Sequence, residues 1–85
     1  MSQLEKAKQR IILRPKDYTY LEARKLLMQL GFDEYTKGKT SGSRMKFYRK
    51  GDGKIFLLHK PHPGDVMSPG AIDSFSKFLR DLGEI

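Results

Sequence analysis

With 85 residues and no cysteine, the chain has room for one small domain and can use neither disulfides nor thiolate metal sites. Two histidines, His59 and His62, are too few for a structural zinc centre, so no metal or cofactor is expected, while seventeen Lys and Arg against ten Asp and Glu give a net charge of +7. The longest apolar run, residues 55–58, falls far short of the roughly 20 residues that span a bilayer, and the first residues mix charges where a secretion signal needs an apolar block, so a soluble cytoplasmic protein is expected.

Residues 1–16 are polar and basic, with only Leu4, Ile11, Ile12 and Leu13 able to bury anything. They read as an extension, either a short helix or a disordered arm, which Arg14-Pro15 must end because proline disfavours a helical residue before it. The domain proper is expected over residues 17–85. Thr19 and Glu22 have the spacing of a capping box, so a helix is predicted from there. Ala23, Leu26, Leu27 and Leu30 recur at helical spacing as one apolar stripe, with Glu22, Arg24, Lys25 and Gln29 turned outward. Gly31 suits the left-handed residue that closes a helix. A first strand is predicted over residues 32–35, with Asp33 and Glu34 as surface carboxylates, followed by a loop at 36–43 rich in Gly, Ser, Thr and Lys.

From Arg44 to Lys50 the sequence has strand period, Met45, Phe47 and Arg49 alternating with Arg44, Lys46 and Tyr48. Asp52-Gly53 signals a tight hairpin turn, and residues 54–59 form the returning strand. The register stays open. A two-residue loop sets Lys46 opposite His59 on the face of Arg44, whereas a three-residue loop moves His59 to the face of Met45 and Phe47. Pro61 and Pro63 make the following segment a stiff connection. Ser68-Pro69 reads as the cap and first turn of a last helix, along which Ile72, Phe75, Leu79 and Leu82 keep helical spacing with Phe78 beside them, and Gly83 closes the end. Helix, three strands and helix, in that order, leave one sheet face for two amphipathic helices to cover, hence a two-layer α+β sandwich.

The charge is not evenly spread. Between Lys37 and Lys60 eight Lys or Arg face a single acid, Asp52, while the remainder is balanced. Cations concentrated in a Gly-Ser loop and a hairpin, interleaved with Phe47, Tyr48 and Phe56, form an electrostatic footprint for a polyanion; a solvated strand face is the plainer alternative. Tyr48 and Phe56 themselves are expected to pack within the sheet or core rather than serve as base platforms, since so short a chain needs its large apolar side chains.

Four segments then fall in a telling order: Leu30-Gly31-Phe32, Lys39-Thr40-Ser41-Gly42-Ser43-Arg44 with Phe47-Tyr48, Leu58-His59-Lys60-Pro61-His62-Pro63, and Gly70-Ala71-Ile72. Over most of its length the chain thereby resembles the HicA toxin family of bacterial toxin-antitoxin pairs. The resemblance implies a fold like a double-stranded-RNA-binding domain, metal-independent cleavage of messenger RNA, and a HicB antitoxin that covers the active surface. One position departs from the family pattern. Where the family carries Gly-Ser-His with a catalytic histidine, this chain has Arg44. Two readings follow: an endoribonuclease that works with other groups, or an RNA-binding module that does not cut.

Cleaving RNA without a metal requires the 2′-hydroxyl to lose a proton, the phosphorane charge to be neutralised and the leaving oxygen to gain a proton. His59 and His62 are the side chains whose ordinary pKa suits that proton transfer, and His59 is favoured because a strand end holds geometry better than a loop. Local packing or hydrogen bonding is the plainer role for both. Arg44 stays protonated and offers a planar fork to phosphate, which makes it a phosphorane stabiliser rather than a base. Lys37, Lys39, Ser43, Lys46 and Lys60 complete the candidate RNA-binding set, with the amides of Gly38, Gly42 and Ser43 able to line an anion site. Gly38-Lys39-Thr40 lacks the spacing of a nucleotide-binding P-loop. Asp33, Glu34 and Asp65 have no partner at catalytic or metal spacing, so neither a glycosidase nor a two-metal nuclease is indicated.

Overall fold

A computed structural model describes residues 2–35, 44–59 and 66–85, the side chains of Arg44 and His59 excepted. Along it run α1 (Gln3–Ile12), α2 (Tyr20–Gln29), β1 (Phe32–Tyr35), β2 (Arg44–Arg49), β3 (Lys54–His59) and α3 (Pro69–Asp81). Of the two readings of the amino-terminal arm, the helix is the one observed. Ser2 caps it by accepting the Glu5 amide at 3.2 Å. Arg14, disfavoured from a right-handed helical backbone by Pro15, takes a left-handed φ of 49° just past the helix end. Ile11 is fully buried and Leu4 partly so, whereas Ile12 and Leu13 stay exposed.

The capping box of α2 forms in both directions, the Glu22 amide donating to Thr19 Oγ1 at 3.2 Å and the Thr19 amide to Glu22 Oε2 at 3.0 Å. Ala23, Leu26 and Leu27 are fully buried, and Gly31 closes the helix at a φ of 95°. Two residues expected to face outward are instead half-buried and paired. Arg10 Nε donates to Glu22 at 2.9 Å, and Arg24 Nε donates to Glu34 at 3.1 Å. The Tyr20 hydroxyl donates to the same Glu34 oxygen at 3.0 Å. Glu34 is therefore not the free surface carboxylate expected of it. Strand alternation turns it toward the helices with Phe32, where a carboxylate lacking partners would be costly.

The sheet is antiparallel in the order β1-β2-β3. Neither hairpin register foreseen from the sequence forms. Pairing runs from Arg49↔Lys54 to Arg44↔His59, so the loop has four residues, 50–53. Within it the Gly53 amide donates to the Arg49 carbonyl at 2.8 Å with Gly53 at a φ of 69°, and Asp52 is held by the Arg49 guanidinium at 3.0 and 2.6 Å. That grip keeps Asp52 and Gly53 inside a wider turn. Adding two residues preserves the parity of the two-residue register, so the position of His59 stays on the face of Arg44 and Lys46, but directly opposite Arg44.

One face of the sheet carries the core. Phe32, Phe47 and Leu58 meet Leu26 and Leu27 of α2 and Ile72, Phe75 and Leu79 of α3, all fully or almost fully buried. Phe56 stacks on Phe78 at 4.6 Å and lies 5.6 Å from Phe75, in the packing role expected of it. Ser68 caps α3 through the Ala71 amide, and an isolated bridge between Thr19 and Val66, with Met67 N donating to the Tyr18 carbonyl at 2.8 Å, ties the start of α3 to the start of α2. The result is the α+β sandwich of a double-stranded-RNA-binding-domain-like fold, preceded by α1.

Candidate functional site

The opposite face of the sheet is open among the described residues. Alternation puts Asp33 and Tyr35 of β1, Lys46 and Tyr48 of β2, and Ile55 and Leu57 of β3 on it in two cross-strand rows, Tyr35–Lys46–Leu57 and Asp33–Tyr48–Ile55. The register positions of Arg44 and His59 form the next row. Tyr35, Tyr48, Ile55 and Leu57 are 45%, 36%, 47% and 53% exposed, far more apolar surface than the core strategy of a short chain predicts. Tyr48, expected to pack, thus lies on the uncovered side, one residue from the fully buried Phe47. The ammonium of Lys46 lies 5.3 Å over the Tyr35 ring. Tyr35, Lys46, Tyr48 and Ile55 line an open cleft of about 220 Å³.

Arginines of the helical side are committed elsewhere. Arg10 bonds Glu22 and Asp17, Arg14 bonds Asp73, Arg24 bonds Glu34, and Arg49 joins Asp52, Glu84 and the Leu30 carbonyl while lying 4.8 Å over the Phe32 ring. Glu84 also receives Lys8 at 3.4 Å, so one carboxylate links α1, the hairpin and the chain end. The hydrogen bond from Arg49 holds the Asp52 carboxyl below its ordinary value, and the bond to Glu22 likewise strengthens the hold of Arg10 on its proton. Burial, reinforced by the charge of Glu22, pushes the Tyr18 phenol well above its ordinary 10.0. A groove of about 260 Å³ between α1 and α2 holds the paired Arg10 and Glu22, with Lys6 and Lys25 also on its lining.

The described cations among those counted between Lys37 and Lys60 do not share one face. Arg49 belongs to the helical side, where it is a clamp, Lys50 and Lys54 are exposed at the hairpin tip, and Lys46 is on the open face. Arg44, at the position where the family carries histidine, and His59, favoured for proton transfer, are Cα partners at the start of β2 and the end of β3. Lys37, Lys39, Ser43, Lys60, His62 and Asp65 lie outside the described residues, as do Gly38 and Gly42. Tyr35 and Ile55 were not singled out from the sequence. Period-two spacing from Phe32 would have turned Tyr35 away from the core, but its neighbours follow only from the register.

Residues 21–83 of this α+β domain match the model of a family described as HicA toxin of bacterial toxin-antitoxin. The chain belongs to the HicA toxin family. It is the toxin member of a toxin-antitoxin pair, and an antitoxin is its partner. No curated protein and no solved structure gives a match. The matched span begins at Leu21, one residue into α2, so α1 lies outside it although Ile11 enters the core. Among the described residues of this HicA toxin, no helix is long and apolar enough to cross a membrane.

Proposed function

We propose that this HicA toxin binds messenger RNA across the Arg44–His59 end of the sheet and cuts it as a metal-independent endoribonuclease. His59 takes the proton of a 2′-hydroxyl, the 2′-oxygen forms a bond to the adjacent phosphorus, and the bond to the 5′-oxygen breaks, leaving a cyclic phosphate and a 5′-hydroxyl once a proton is returned to the leaving oxygen. His62 is the second candidate for that proton, and the fixed charge of Arg44 answers the phosphorane. Lys37, Lys39, Ser43, Lys46 and Lys60 hold neighbouring phosphates. A HicB-like antitoxin silences the toxin by offering carboxylates to the same cations.

The observation that supports this reading best is the β2–β3 register, which pairs Arg44 with His59 across the sheet. Arg44 takes the position at which the family carries histidine, so its neighbour across the strand is the natural site for the missing imidazole. That same substitution favours the second reading, an RNA-binding module without catalysis. Purified protein incubated with labelled messenger RNA and a chelator separates them. Cleavage is expected, with a loss of at least about 100-fold for His59→Ala and for Arg44→Ala. Salt-sensitive binding without products would establish the binding module, and absence of both would refute the RNA reading.

A further inference from the structure

The open face carries a feature that phosphate binding does not need. Phosphates are held by cations and amides, yet Tyr35, Tyr48 and Ile55 place two aromatic rings and an aliphatic wall around Lys46 in a cleft of about 220 Å³. We propose that this cleft takes a nucleobase of single-stranded RNA, stacked on a tyrosine ring, with Lys46 turning from Tyr35 to the adjoining phosphate. The inference rests on the RNA reading above and adds the substrate class, unpaired rather than duplex RNA.

Several observations favour that occupant. Aromatic rings set beside an unpaired cation are how sequence-tolerant single-strand sites are built, because every base has a π-face and every nucleotide a phosphate. Among the described residues Lys46 pairs with no acid and lies on Tyr35 instead, so its charge is available there. It also occupies the middle strand of the sheet, whereas the cores of protein-protein interfaces are depleted in lysine. Duplex RNA keeps its bases stacked inside and cannot lay one on a ring. Finally, the Tyr48–Ile55 row is four residues along β2 from the Arg44–His59 row, about 13 Å at the usual rise of a strand, so a base held here steadies the same RNA strand at the scissile end. Asp33, exposed beside Tyr48, directs the phosphates to the Lys46 side.

The test compares two labelled probes of equal length, a single-stranded RNA and an abasic ribose-phosphate oligomer, in a His59→Ala background so that neither is consumed. Replacing both tyrosines, Tyr35→Ala with Tyr48→Ala, is expected to weaken the base-bearing probe by about tenfold or more while leaving the abasic probe unchanged, and Tyr35→Phe with Tyr48→Phe to restore binding. An unchanged melting temperature excludes a folding defect. Undiminished binding of single-stranded RNA by the alanine variant overturns the base site alone. Failure of the parent protein to bind either probe overturns the RNA reading and this inference together. If the alanine variant keeps its RNA affinity but no longer binds its antitoxin, the cleft belongs to the protein partner and the inference is wrong.

Discussion

The two faces of the sheet are built from the same kinds of residue and put to opposite uses. On the covered face, Phe47 and Leu58 are buried and Phe56 partly so under α2 and α3, while Glu34 is answered by Arg24 and Tyr20 and Arg49 by Asp52 and Glu84. On the open face, Tyr35, Tyr48, Ile55 and Leu57 remain in contact with solvent, and Lys46 lies on an aromatic ring instead of an acid. Arg24 and Arg49 serve the fold while Lys46 faces the open side, consistent with the planar guanidinium fork, which suits bidentate pairing, and the strongly hydrated ammonium, which does not. Half-exposed rings add less to stability than the buried ones opposite them, since less of their surface leaves water.

The largest expected effect separates the faces by stability. Phe75→Ala, deep in the core, should cost about 3–5 kcal/mol, and Tyr48→Ala no more than about 0.5 kcal/mol, by urea denaturation at neutral pH. Equal costs would break the contrast. Next come the cations. Arg49→Ala should lose about 1–3 kcal/mol because it strips charged hydrogen bonds from Asp52, Glu84 and the Leu30 carbonyl. Lys46→Ala should leave stability almost untouched but lower the slope of log affinity for single-stranded RNA against log salt by about 0.7. The reverse pattern would assign the wrong cation to the surface.

The smallest effect is a pH limit. Tyr18 is buried and its phenol is raised above the ordinary 10.0, so the folded state favours the neutral form. Its contribution is complete below pH 10 and declines as the pH rises above that value toward the folded one, because the unfolded phenol ionises first. Tyr18→Phe should match the parent near pH 7 and retain more of its stability above pH 10, measured by thermal melting across the range. Equal alkaline losses in both proteins would remove Tyr18 from the pH response.

Much of the fold was legible along the chain. The Thr19–Glu22 capping box, the Ser68-Pro69 start, the left-handed Gly31 and the stripes of α2 and α3 depend on residues within a turn or two of one another, and each formed as read. The candidate site was legible in part: Arg44 was marked by the family pattern and His59 by its chemistry at a strand end, but their pairing was not legible. Loop length decides it, and the four-residue turn is held by Arg49, whose own position depends on Glu84 at the far end of the chain. Glu34 was misjudged for a similar reason, since its partners Tyr20 and Arg24 come from another element.

Tyr48 and Phe56 show where the boundary lies. Composition and alternation establish that Phe47 and Tyr48 point to opposite sides of one strand, because side chains repeat every two residues regardless of what surrounds them. Which side the helices cover is a property of the assembled layers. Only cross-strand pairing and the docking of α2 and α3 made Phe56 a core residue and Tyr48 a surface one, since burial is a relation between segments distant in sequence and no single strand carries it.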